Sequence, residues 1–177
     1  IELKDSYMGS HAKRVAAGAV AVAEKLGFDR TALRTIEIAA LLHDVGKGII
    51  KDSILSKEER LTRREVQAIR MHPSIGSNIT EKISPGLSDK ILAHHERFDG
   101  TGYPAGLKGE EIPETARIIA VADALDAMTS RRPYRRPYPL EKALEEIRAN
   151  AGTQFDPAMV TALDRLFETG RLRILRV

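Results

Sequence analysis

Apolar residues recur at helical spacing from end to end of this chain, with no internal repeat and no low-complexity linker. His11, Val15, Gly18, Ala19, Val22 and Leu26 mark one face of a first helix that stops at Gly27. A second helix from about Thr31 carries Ile36, Ala39, Ala40 and His43 on one face and ends near Gly46. Thr62 with Glu65 three residues on forms a capping box, and the helix it opens should stop before Pro73, because the residue preceding proline avoids helical angles. His72 therefore sits at a junction, and another helix follows Pro73. The next helix, from about Ser88 to Arg97, holds His94 and His95 in its last two turns. From Phe98 to Glu111, four glycines and a proline among polar residues predict an irregular loop. Pro113 starts a helix with Glu114 in its first turn and Ala116, Ile119, Ala120, Asp123 and Ala127 on one face. Two more run from about Leu140 to Ala149 and from about Pro157 to Glu168. The expectation is an all-α fold, a single bundle of about seven helices.

At 177 residues the chain can bury a core without disulfides or a structural metal, so any metal it holds is expected to be functional. Cysteine is absent, which removes disulfides, thiolate metal sites and cysteine nucleophiles together and fits a reducing compartment. Metal ligands must then be His, Asp or Glu. No apolar run approaches about 18 residues and the start lacks the apolar segment of a signal peptide, so a soluble, cytoplasmic chain without membrane contact is expected. It begins at Ile1 rather than Met, as a fragment of a longer protein would. A net charge of +3 does not argue for DNA, although four arginines crowd into "SRRPYRRPY".

His11, His43 and Asp123 project from apolar faces, while His72, His94 and His95 lie at helix ends or junctions. One such histidine is ordinarily a core residue with a backbone partner. Several imidazoles and carboxylates in one core cost several kcal/mol unless paired or metal-bound, and a shared metal centre relieves all of them. In His43-Asp44, neighbouring helical positions diverge by roughly 100°, and the two carboxylate oxygens of Asp44 could bridge two ions. Five histidines and two aspartates exceed the needs of one tetrahedral zinc; imidazole with carboxylate suits iron, manganese or zinc, and two metals are expected.

A lone His-Asp pair is a weak signal, but His11, His43-Asp44-x-Gly46-Lys47, His72, His94-His95 and Asp123, interleaved with "GTGYP", form a specific pattern. On these residues the chain resembles the HD-GYP domain, a branch of the HD metal-dependent phosphohydrolase superfamily. The likeness runs from about Asp5 to Leu166 through "DSYMGSHAKRV", "ALLHDVGKG", "LTRREVQAIRMHPSIG", "HHERFDGTGYPAGLKGEEIP", "ARIIAVADALDAMTSRRPYR" and "GTQFDPAMV". It implies one HD-type domain over residues 1–177, part of a longer signalling protein. It also implies that His11, His43, Asp44, His72, His94, His95 and Asp123 are metal ligands, with Asp5 and Asp126 supporting them. Asp44 and Lys47 would be catalytic, and Lys47, Tyr103, Arg132 and Arg135 would contact substrate. Where some members carry a glutamate that helps hold a third metal, this chain has Tyr7; Lys51 stands where many have proline.

The implied activity is hydrolysis of cyclic di-GMP to pGpG, and onward to GMP, through a hydroxide bridging two divalent ions, iron or manganese ahead of zinc. No Ser-His-Asp arrangement is needed, and no G-x-S-x-G motif is present. Two other readings stay open at this point: a phosphodiesterase for 3′3′-cyclic GMP-AMP, and a non-catalytic module that binds a cyclic dinucleotide or a GGDEF-type cyclase. The implied partners are the cyclic dinucleotide, such a cyclase and an upstream sensory domain.

Overall fold

The structure is a computed structural model that describes residues 6–130 and 136–174. In chain order the helices are α1 (Ser6–Leu26), α2 (Arg30–Leu42), α3 (Asp52–Leu55), α4 (Arg63–Arg70), α5 (His72–Glu81), α6 (Pro85–Leu92), α7 (Glu114–Thr129), α8 (Leu140–Ala149), α9 (Pro157–Glu168) and α10 (Arg171–Ile174), with 3-10 turns at Val45–Ile49 and Gly109–Glu111. No strand occurs among the described residues, and the all-α expectation holds. Eight of the helices are longer than one turn, against about seven expected. The short α3 and α10 carry too few residues for a periodicity to reveal them.

The core lies where α1 crosses α2, α7 and α9. Val15, Ala19 and Val22 of α1, Ile36 and Ala39 of α2, Ile118 and Ile119 of α7, and Leu144, Leu163 and Leu166 of α8 and α9 are buried there. Each large aliphatic side chain so buried contributes about 1.5–3 kcal/mol. Gly18 faces Ala122 where α1 and α7 cross, and about two turns N-terminal of that contact the His11 side chain meets the acids of α7.

Local signals set most boundaries. The Asp29 side chain accepts from the Ala32 N–H at 2.8 Å, so α2 begins at Arg30, close to the expected Thr31. Thr62 and Glu65 form the expected capping box, and Lys57 adds a salt bridge to Glu65. The end of α2 and both ends of α6 differ from expectation, α6 starting at Pro85 rather than about Ser88. α2 ends at Leu42, with His43 as its C-cap and Asp44 beyond it at φ −98°, ψ 8°. α6 ends at Leu92, so His94 and His95 occupy a turn, not the last two turns of a helix. In the first case the cause is tertiary: the 3-10 turn at Gly46 packs directly on the α5 backbone, which a continued α2 would miss.

The "GTQFDP" segment contributes a second tie. Asp156 caps α9, accepting from the Ala158 N–H at 2.7 Å, and pairs with Arg117 of α7 out of water. Arg117 also donates to the Ile112 carbonyl at 3.0 Å. Breaking one partner of a buried pair strands the other charge. Asp156→Ala is therefore expected to lower unfolding free energy by roughly 3–5 kcal/mol, read from urea denaturation; a change under about 1 kcal/mol would place this pair with exposed ones.

Candidate metal centre

Three of the five histidines are held by one device. His43, His72 and His94 each follow the last turn of a helix, α2, α4 and α6. Each donates its Nδ1–H to the carbonyl three residues back, to Ala40 at 2.7 Å, Ile69 at 2.7 Å and Ile91 at 2.6 Å. Those carbonyls lie at helix C-termini, where regular intrahelical partners run out, and the imidazoles bond them. Because a carbonyl can only accept, the proton is placed on Nδ1 and each Nε2 presents a lone pair inward. The same helix ends carry negative partial charge, and three of them converge on one spot, which favours cations there.

The structure brings all seven expected ligands together in two groups, His11 with His43 and Asp123, and Asp44 with His72, His94 and His95; within each group the candidate ligand atoms lie within 4.8 Å of one another. Asp44 faces both. Its Oδ2 is 3.4 Å from His43 Nε2 and 3.8 Å from His11 Nε2, and its Oδ1 is 3.2 Å from His72 Nε2. His11 Nε2 lies 3.4 Å from Asp123 Oδ1.

Divalent ions fit this donor set. His72 Nε2 and His94 Nε2 approach to 3.2 Å, and with both Nδ1 atoms donating to carbonyls the facing atoms are both acceptors, which repel unless a cation lies between them. His43 Nε2 and Asp44 Oδ1 are buried with no hydrogen-bond partner, a costly state that coordination removes. The titration behaviour agrees. Burial opposes charge on Asp44, yet His43, Lys47 and His72 outweigh it and hold the carboxyl well below its ordinary range. Burial also works against a charged His43, but Asp44 and Asp123 raise it to about 9, so the acids demand a cation at this point. Burial drives His94 down, and His95 down to about 4, leaving both neutral as ligands must be.

Of the residues expected to support the ligands, Asp126 accepts from His11 Nδ1 at 2.7 Å, which turns Nε2 toward Asp123. Arg14 and Ser130 also bond Asp126, and although burial pushes its carboxyl up, His11, Arg14 and Ser130 prevail and hold it at about 2. Such partners usually set ligand orientation, and losing one costs about 10–100-fold in metal affinity. Asp126→Asn is expected to weaken metal binding by that factor in competition with a chelating dye, and unchanged affinity would exclude the orienting role. Asp5, Arg132 and Arg135 lie outside the described residues.

Lys47 Nζ donates to Asp44 Oδ2 at 2.7 Å from the 3-10 turn and is a quarter exposed. Tyr103 stacks on His95, ring centres 5.0 Å apart and 25° from parallel, and its backbone N–H donates to the His95 carbonyl. Burial, with Asp44 and Asp123, pushes the Tyr103 phenol up to about 12 against the pull of Arg70, so it stays protonated. The loop is clamped by Glu96, whose Oε1 accepts from the N–H groups of Ala105 and Gly106 at 2.7 and 3.1 Å. Gly102 lies so close to the Glu96–Arg97 backbone that a Cβ there would sit 2.3 Å from the Arg97 nitrogen. Arg14, Glu96 and Ser130 are working parts that sequence reasoning missed. Only the i, i+4 spacing of Asp126 and Ser130 was visible beforehand.

The centre opens into a cavity of about 480 Å³. His11, Lys47, His94, His95 and Asp123 line it together with Ala120, Ala124, Ala127, Asn150 and Gln154. This arrangement can hold cations in a cleft large enough for a small organic ligand.

Residues 1–159 match the family model described as HD domain. The chain is 42% identical over 173 residues to the cyclic di-GMP phosphodiesterase response regulator of Xanthomonas campestris, covering 93% of this chain and 45% of that protein. It is 43% identical over 169 residues to a cyclic di-GMP phosphodiesterase of Thermotoga maritima, covering 93% and 46%. The chain thus spans less than half the length of these curated relatives. Its fold matches the crystal structure of a cyclic GMP-AMP specific phosphodiesterase of Vibrio cholerae with a TM-score of 0.74 at 20% identity, covering 99% of this chain and 50% of that one. Among the described residues no helix is long and apolar enough to cross a membrane.

Proposed function

The chain belongs to the HD domain family, in its HD-GYP branch, and from that premise we propose that it is a metal-dependent phosphodiesterase that opens cyclic di-GMP. One observation carries the proposal: two His/Asp groups share the Asp44 carboxylate beside a cavity of about 480 Å³. Two relatives above 40% identity bear that activity in their names.

His11, His43 and Asp123 would hold one ion and His72, His94 and His95 the other, with Asp44 between them. Divalent ions bound there supply charge neutralisation for a phosphodiester and lower the pKa of water. The chain's own residues do the rest. Asp126 and the three carbonyl-locked imidazoles keep the ligands in one tautomer and orientation. Lys47, fixed by Asp44 and reaching the cavity, pairs with a phosphoryl oxygen and gives a proton to the departing 3′ oxygen. A phosphorus–oxygen bond to water forms as the bond to the 3′ oxygen breaks, and of the protons the water gives up one restores Lys47 and the other goes to solvent, leaving a 5′-phosphate and a 3′-hydroxyl in linear pGpG; a second round gives GMP. Tyr103 contacts the nucleotide from the loop, and Arg132 and Arg135 are further substrate contacts in this reading, with Asp5 an added support for the ligands.

The reading includes iron or manganese ahead of zinc, because imidazole with carboxylate accepts all three and availability decides. It also includes a GGDEF-type cyclase or a sensory domain as partner, a cytoplasmic location, and residues 1–177 as one domain of a longer signalling protein. The deciding assay uses protein prepared without oxygen and loaded with iron(II) or manganese(II), following cyclic di-GMP and 3′3′-cyclic GMP-AMP in competition by chromatography. Formation of pGpG with about two metals per chain supports the reading. Full metal occupancy with neither dinucleotide consumed overturns it.

A further inference from the structure

Beside the centre stands a cation that the mechanism above leaves unused. Arg70, the last residue of α4, is exposed and places its guanidinium carbon 4.9 Å from the centre of the Tyr103 ring. That ring also stacks on His95. The Tyr103 ring thus contacts both the His95 imidazole and the Arg70 guanidinium. Arg14, Arg97, Arg117 and Arg148 each engage an aspartate. Among the described residues no carboxylate pairs with Arg70. An exposed arginine in the last turn of a helix can satisfy the helix dipole in many rotamers, but this one is drawn over an aromatic face, where cation–π attraction steadies the group and leaves its N–H donors available.

We infer that Arg70 is a substrate-binding residue whose guanidinium takes the second, unbroken phosphate of a cyclic dinucleotide, with the Tyr103 ring as its platform. The inference rests on the phosphodiesterase reading. A cyclic dinucleotide brings two phosphates, and the metal centre deals with the one that breaks. The other needs a cation nearby; Lys47 is assigned to the phosphate that breaks, Arg132 and Arg135 lie outside the described residues, and Arg70 is the cation placed on the Tyr103 ring. Arginine meets phosphate oxygens two at a time, which lysine cannot do. Because the contact is to a group that does not react, it acts equally on ground and transition states and appears in KM, not in kcat.

The test compares wild type, Arg70→Ala and Arg70→Lys, equally loaded with manganese, on cyclic di-GMP and on bis(p-nitrophenyl) phosphate, a diester with a single phosphate. For Arg70→Ala the KM for cyclic di-GMP is expected to rise about tenfold or more, with kcat and metal content held and far less effect on the small diester. Arg70→Lys should recover part of the loss, since it keeps the charge without the fork. Equal losses on both diesters would overturn the inference, because Arg70 would then act through Tyr103 and His95 on the metals; so would no change on either. A wild type that hydrolyses the small diester but not cyclic di-GMP would overturn the substrate reading itself and the inference with it.

Discussion

Asp44→Asn is expected to lower kcat on cyclic di-GMP by about a thousandfold or more and to drop metal content below two per chain, with helical content unchanged. The asparagine keeps the shape but loses the negative charge and one of two oxygens that face opposite ways, Oδ2 toward His11 and His43 and Oδ1 toward His72. Charge stabilisation by a catalytic metal is worth several kcal/mol, and about 4 kcal/mol corresponds to three orders of magnitude in rate. The exchange also frees Lys47, which donates to Oδ2, so in the proposed mechanism the proton donor would lose its anchor together with the ligand. Metal analysis and steady-state kinetics on one preparation decide the matter. Retained turnover with full metal would remove Asp44 from the centre of the chemistry.

Gly46→Ala should be nearly as damaging, although Gly46 touches no ligand through a side chain. A Cβ at this position would lie 2.1 Å from the His72 carbonyl oxygen and 2.8 Å from the Gly76 nitrogen, both backbone atoms of α5 that no rotamer change can move aside. Relief requires the 3-10 turn and α5 to separate by the better part of an ångström. Asp44 Oδ1 and His72 Nε2, now 3.2 Å apart, sit on either side of that contact. A misplacement of about 1 Å can cost a hundredfold in rate, and overpacking adds about 1–3 kcal/mol of destabilisation. The expected result is a folded, less stable protein with about a hundredfold lower turnover and weakened metal binding. A variant with normal activity would mean that the turn relaxes without moving Asp44.

The two substitutions divide what could be read in advance from what could not. Helical period puts His11, His43 and Asp123 on inward stripes, and burying unpaired polar groups is costly; that Asp44, His72, His94 and His95 join them was legible only through the resemblance to the HD-GYP pattern. The spacing of His43-Asp44-x-Gly46-Lys47 was legible too, but the role of Gly46 was not, since its neighbour in space is the backbone around His72, in another helix. The divergence of His43 from Asp44 was expected from adjacent helical positions. In the structure it comes from the chain leaving the helix between them.

Residue types and local periodicity by themselves determined the all-helical class and the exclusion of thiolate chemistry, because these depend on composition and on neighbours within a turn or two, while the set of seven candidate ligands came from the resemblance of the whole motif pattern to a known family. Only the tertiary structure decided how those ligands divide into two groups, which oxygen of Asp44 faces which group, and that Asp126 of α7, held by Arg14, orients His11 of α1. His11 and Asp126 are 115 residues apart. Their 2.7 Å contact is a product of helix packing around a common core, which no local pattern encodes.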